Sequence, residues 1–192
     1  INHRADLSSI KNTLNSIKDD IDKKSRYLDK LIFKLRKDYY NVILLDGTDM
    51  YDNSILFPFN GHTLNDREQR ANHHIRLVKW LSSQRVLPIV AFIGQPLEIR
   101  NLWNETLNDW KEIYLKCDIE ECIKRDNKNL YNNENNKDKK KSIIGIDDNF
   151  NEPQDAWLTI DTGKTSSGEV QSKVLSRLKN INWLRYYKLD EQ

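Results

Sequence analysis

Neither glycine nor proline occurs between Ile1 and Asp46, and the first glycine of the chain is Gly47. Without glycine the backbone cannot make the tight turn that points several N–H groups at the phosphates of a nucleotide, so these residues hold no ordinary phosphate-binding loop. What they can form is helix. Leu7, Ile10, Leu14, Ile17, Ile21, Leu28, Leu31 and Leu35 recur at spacings of three and four, with Lys24 in the slot that breaks the series, and this places one apolar stripe on a helix. About 30 helical residues would reach roughly 45 Å, with a break near Asp22 to Ser25, where the residue types suit a helix start. Residues 1–38 are therefore predicted as an amphipathic helix. It either packs on its own domain or, since the stripe runs for about four heptads, pairs as a coiled coil with a partner or a second copy.

Beyond that stretch the pattern changes to short apolar runs separated by amphipathic helices, the mark of an α/β parallel sheet. Asn41 to Asp46 reads as a buried strand that Gly47 ends. Asp66 to Gln84 reads as a helix with Ile75, Val78 and Leu81 on its inner face, then Val86 to Ile93 as a strand, Leu97 to Trp110 as a helix and Glu112 to Cys117 as a strand. Asp118 with Glu121, and Ser166 with Glu169, are spaced as capping boxes opening two further helices. Trp157 to Asp161 fits a last strand. The lysine-rich, aperiodic stretch 127–142 reads as a surface loop or a basic lid over a phosphate-bearing ligand.

The 192 residues fit one domain with a real core. Thirty-one basic residues against 29 acidic leave a formal charge of +2, too balanced for nucleic acid as the main ligand. The longest apolar run, Val86 to Ile93, is far too short to span a membrane, and the N-terminus has no signal-like stretch. Cys117 and Cys122 lack a surrounding cluster of metal-ligating residues and read as reduced thiols. The expectation is an intracellular protein, cytoplasmic or organellar, in a reducing compartment. Adjacent His73 and His74 point to different helix faces and cannot chelate one metal as an i, i+4 pair would, so no metal site is assigned. Gly163, Lys164 and Thr165 spell the end of a phosphate loop, but Leu158 stands where its first glycine belongs, and a polar turn is expected there.

Five segments, LLDG (Leu44 to Gly47), TLNDR (Thr63 to Arg67), VAFI (Val90 to Ile93), RD with LY (Arg125, Asp126, Leu130, Tyr131) and GIDD (Gly145 to Asp148), occur in order. In these the chain resembles adenylylsulfate kinase, from about Lys24 to Leu178. The resemblance implies a P-loop-kinase-like doubly wound parallel sheet, transfer of the ATP γ-phosphate to the 3′-hydroxyl of adenylyl sulfate with Mg2+, and a dimer. It further implies Asp46 as a catalytic residue, base or metal partner, His62, Thr63, Asp66, Arg67 and Lys141 at the substrate, and Lys24 and Ser25 at the cofactor phosphates and magnesium.

The departures from that pattern are as informative as the matches. Thr48 replaces the second acid of a DGD motif and Tyr51 the arginine after it. Arg70, Ala71, Asn72 and His73 replace NIRR, Gly94 to Leu97 replace SPYR, and Ile143 replaces a stacking aromatic. Ahead of Lys24 and Ser25 the loop glycines become Asp19, Ile21 and Lys23, and Asp19, Asp20 and Asp22 add negative charge where polyphosphate would sit. The long N-terminal helix thus takes the place of the first strand and phosphate loop. Three functions compete. One is a pseudoenzyme unable to bind ATP, with no cofactor, serving as a structural or assembly subunit. Another is an active adenylylsulfate kinase whose strand and loop are unusual or come from upstream or from another chain. The third is a regulatory domain that senses an adenine nucleotide.

Overall fold

The computed structural model describes residues 27–38, 40–46, 63–126, 131 and 143–189. Of the helix predicted over residues 1–38 to replace the first strand, residues 1–26 lie outside them. The elements run α1 (Tyr27–Lys37), β1 (Val42–Asp46), α2 (Leu64–Ser83), β2 (Leu87–Ala91), α3 (Leu97–Thr106), β3 (Ile113–Lys116), α4 (Ile119–Lys124), β4 (Leu158–Asp161) and α5 (Ser167–Leu178), followed by a 3-10 segment (Asn182–Tyr187).

All strand pairing is parallel among the described residues. β1 pairs with β2 from Val42 opposite Leu87 to Asp46 opposite Ala91, and β3 with β4 from Ile113 opposite Leu158 to Lys116 opposite Asp161. Parallel strands need a crossover, and α2 lies in the connection from β1 to β2 and α4 in that from β3 to β4. The continuous apolar run Val42 to Leu45 feeds both faces of the β1–β2 pair, because successive side chains alternate. Val42 and Leu44 join a core with Leu31, Ile32 and Leu35 of α1 and Val170 and Val174 of α5. Leu45 and Ile43 join a second core with Ala71, Ile75, Val78 and Leu81 of α2 and Ile99 and Trp103 of α3.

The helices predicted beyond β1 hold with two changes. Leu97 to Trp110 stops at Thr106, where Leu107 turns extended and the chain folds back so that Trp110 Nε1 donates to Asn104 Oδ1 at 3.1 Å. Asp118 caps α4 by position but makes no side-chain cap bond, because Glu121 is drawn instead to Arg125, 2.8 Å away. At α5 the Ser166–Glu169 box is complete, and the two Ser166 hydrogen bonds hold the Glu169 carboxyl below its ordinary pKa.

Candidate functional site

In open α/β sheets ligands bind beyond the carboxyl ends of the strands, and here those ends carry Asp46, Gln95 and the start of α2. Thr63 and Asp66 fix that start. The Thr63 hydroxyl accepts the Asp66 N–H at 3.2 Å, while the Asp66 carboxylate accepts the Thr63 N–H at 3.0 Å and its hydroxyl at 2.6 Å. Arg67 follows directly, half-buried in the first turn, where the helix N-terminus adds partial positive charge. The arrangement suits an anion.

Arg70 and His74 continue the stripe from Arg67 at spacings of three and four, and only 6% and 2% of their surfaces are exposed. Burial, then the charges of Arg70 and His73, lower the His74 pKa to about 4, so the imidazole is neutral at pH 7. Phe92 lies edge-on to it with ring centroids 6.5 Å apart and stacks on Trp103 at 4.9 Å. Asp46, at the end of β1, is also buried. Just past β2, the buried Gln95 donates from Nε2 to the Asn151 carbonyl at 3.0 Å, and the guanidinium of Arg100 lies 3.9 Å from Glu112. Burial raises the Glu112 pKa, and Arg100 only partly offsets it.

At the other strand pair, Arg125 donates to the Thr162 carbonyl at 3.1 Å, which ties it to the end of β4, and Tyr131 N–H donates to Asp126 Oδ2 at 2.8 Å. Cys122 is a free thiol whose pKa burial pushes up, helped by a hydrogen bond with Cys117. The GIDD segment is a tight turn: Gly145 sits at φ 93° and Ile143 N–H donates to Asp147 Oδ2 at 2.8 Å. Among the described residues no group of three or more His, Cys, Asp or Glu could hold a metal ion. Asp46 alone would be a single carboxylate toward magnesium.

The adenylylsulphate kinase family matches residues 23–161. The chain belongs to that family. Among relatives, the adenylyl-sulfate kinase of Bacillus velezensis is 32% identical over 143 residues, covering 73% of this chain and 71% of its own. A cytidine diphosphoramidate kinase of Campylobacter jejuni is 35% identical over 124 residues, covering 63% and 69%. The structure of the Mycobacterium tuberculosis APS kinase in complex with AMPPNP and APS superposes with a TM-score of 0.67 at 21% identity over 82% of this chain and 91% of that one. The fold is therefore the doubly wound P-loop-kinase fold of adenylylsulphate kinases.

Within that fold Asp46 ends β1 and Thr63, Asp66 and Arg67 open α2, whereas Lys24, Ser25, His62 and Lys141 lie outside the described residues. Thr63 and Asp66 are engaged in starting the helix that presents Arg67. The segment GKT forms a turn after β4, with Gly163 N–H donating to Asp161 Oδ1 at 2.9 Å and Lys164 paired to Asp161 at 3.3 Å. Sequence reasoning missed Arg70, His74, Gln95 and Arg100 as buried polar groups. The signal for the first two was present in their place on the Arg67 stripe beside Ala71, Ile75 and Val78.

Proposed function

We propose that this member of the adenylylsulphate kinase family is a pseudoenzyme: a kinase fold that is unable to bind ATP and serves as a structural or assembly subunit. The observation that carries the reading is the segment 16–25, SIKDDIDKKS. Lys24 and Ser25 match the end of a phosphate loop, but no glycine precedes them and three aspartates do. Backbone N–H groups supply most of the positioning in phosphoryl transfer, and a segment without glycine does not suit the tight turn that presents them. Losses on the substrate side support the same reading. Asn72 stands in for an arginine, and the stretch where a hydroxyl and an arginine are wanted is Gly94 to Leu97, with Gln95 bonded to Asn151. Charge-assisted contacts are each worth about 1.5–3 kcal/mol, so losing two would weaken binding by orders of magnitude.

The test is thermal denaturation of the full chain with millimolar ATP and Mg2+. No shift is expected, and a saturable rise in Tm would overturn the proposal. A shift with phosphoadenylyl sulfate but not with ATP would instead favour a nucleotide sensor.

The retained Arg67 at the start of α2 and the kinase relatives favour a second reading, an active phosphotransferase. Its acceptor would be adenylyl sulfate or, by likeness to the Campylobacter relative, cytidine diphosphoramidate. Incubation with γ-labelled ATP and each acceptor tests it, and label transfer to either would replace the first reading.

A further inference from the structure

Cys117 and Cys122 are the two cysteines of the chain, and the fold sets them against each other where β3 passes into α4. β3 ends at Lys116, and Asp118 holds the cap position of α4, whose first residue is Ile119. Cys117 therefore precedes the cap, and Cys122 is the fourth residue of the helix. Side chains at these two positions pack across the first turn, and an apolar pair there forms a hydrophobic staple. The turn is closed, since Glu121 N–H and Cys122 N–H both donate to the Asp118 carbonyl at 3.0 Å. The two thiols hydrogen-bond to each other.

Two features separate this pair from an ordinary staple. Structural thiols are buried and inert, whereas both of these are half-buried and within reach of a small reagent. Their surroundings are also polar. Burial and the bond with Cys117 hold the proton on Cys122, while the Arg125 charge and the Tyr131 hydroxyl, which donates to the Cys122 sulfur, act in the opposite sense.

We infer that Cys117 and Cys122 form a dithiol site that a low-molecular-weight disulfide converts to an intramolecular disulfide. One thiolate attacks a sulfur of the reagent, breaks its S–S bond and releases the other half as a thiolate. The second protein thiolate then attacks the protein sulfur of the mixed disulfide and releases the remaining half. Two electrons pass from the protein to the reagent, and the two thiol protons end on the released halves.

The product is read at the end of α4. A covalent bond holds the sulfurs closer than a hydrogen bond does, so Cys122 is drawn toward the end of β3 and away from the Tyr131 hydroxyl. Arg125 stays tied to the Thr162 carbonyl at 3.1 Å, and Tyr131 keeps only its N–H bond to Asp126 Oδ2 at 2.8 Å of the two contacts named here. Oxidation therefore loosens Tyr131 against α4.

The test treats the folded full chain with mixtures of oxidised and reduced glutathione, quenches with acid and reads the intact mass. The inference expects a monomer lighter than the dithiol form by about 2 Da, the two hydrogens lost, with no glutathione retained and the mass restored by reductant. Cys117→Ser and Cys122→Ser should each retain one glutathione instead. Amide exchange at Tyr131 should be roughly threefold faster or more in the oxidised parent than in the reduced one, and unaffected by the same treatment in a variant carrying both serines. Two glutathiones retained by the parent, a disulfide-linked dimer, or oxidation in urea alone would overturn the inference and leave the thiols as an apolar staple. Exchange at Tyr131 that ignores the oxidation state would overturn the link to the end of α4. No nucleotide enters these readouts, so their failure is separate from that of the pseudoenzyme reading.

Discussion

Gln95 and Asn151 hold two distant loops together through unequal bonds: Gln95 Nε2 reaches the Asn151 main-chain carbonyl at 3.0 Å, while Asn151 Nδ2 reaches Gln95 Oε1 at 3.4 Å. The shorter bond needs only the glutamine side chain. Gln95→Ala should therefore destabilise by about 1–3 kcal/mol, since it removes the donor to a part-buried carbonyl and opens space in a buried position. Asn151→Ala should cost less than about 1 kcal/mol, because its side chain supplies only the weaker bond. Urea denaturation of the two variants checks the order, and equal losses would mean that the side-chain bond dominates.

His74 makes stability depend on pH in a defined window. Its folded pKa is about 4 against 6.5 for the ordinary side chain, so the unfolded state binds more protons wherever the two differ. The sign follows by linkage: stability is full above about pH 6.5, falls as pH drops toward 4 and levels off below it. A shift of this size corresponds to roughly 3 kcal/mol at most. Carboxylates add their own pH dependence, so the quantity to measure is the difference between the parent and His74→Gln in urea melts at pH 7.5, 5.5 and 4.5. That difference should shrink or reverse as pH falls, and a constant difference would show that His74 is not buried neutral.

The start of α2 gives a cleaner local test. Thr63→Ala removes the hydroxyl that accepts the Asp66 N–H and donates to the Asp66 carboxylate, and should cost about 1 kcal/mol, whereas Thr63→Ser should be nearly neutral. The substitution does not touch Arg67, so any ligand of that arginine should bind more weakly to Thr63→Ala only as far as the first turn frays. Amide exchange at Arg67 and Glu68 measures the fraying directly.

The parts of the fold that the sequence announces are those governed by local pattern. Val42 to Leu45 and Leu87 to Ala91 are continuous apolar runs because a strand inside a parallel sheet has little solvent face to mark with polar residues. The Ser166–Glu169 box was legible because nothing competes for Glu169, while the Asp118–Glu121 box was not formed because Arg125 offers Glu121 a charged partner. In the candidate site, Arg67 stood out by its motif. Arg70 and His74 did not, since apolar periodicity cannot flag a polar side chain that occupies a core position. Gln95 was invisible for another reason: its partner lies 56 residues away, and no local rule connects them.

The helix α1 decides whether residues 27–37 belong to the domain or form part of a detachable docking element. Leu31, Ile32 and Leu35 are buried with Val42 and Val174, while Phe33 on the opposite face is exposed, with Lys37 Nζ 5.1 Å from its ring centroid. A helix that only docks on a partner would lose binding, but no stability, when its apolar stripe is cut. One that completes the core must do the reverse. Leu35→Ala should cost about 2–5 kcal/mol, as large-to-small changes at fully buried sites do, and Phe33→Ala less than about 0.5 kcal/mol, as expected for an exposed site. Urea midpoints of both variants in the full chain, measured beside sedimentation of the parent, separate the two cases. A small effect of Leu35→Ala, with a change in oligomeric state, would assign the whole stripe to docking.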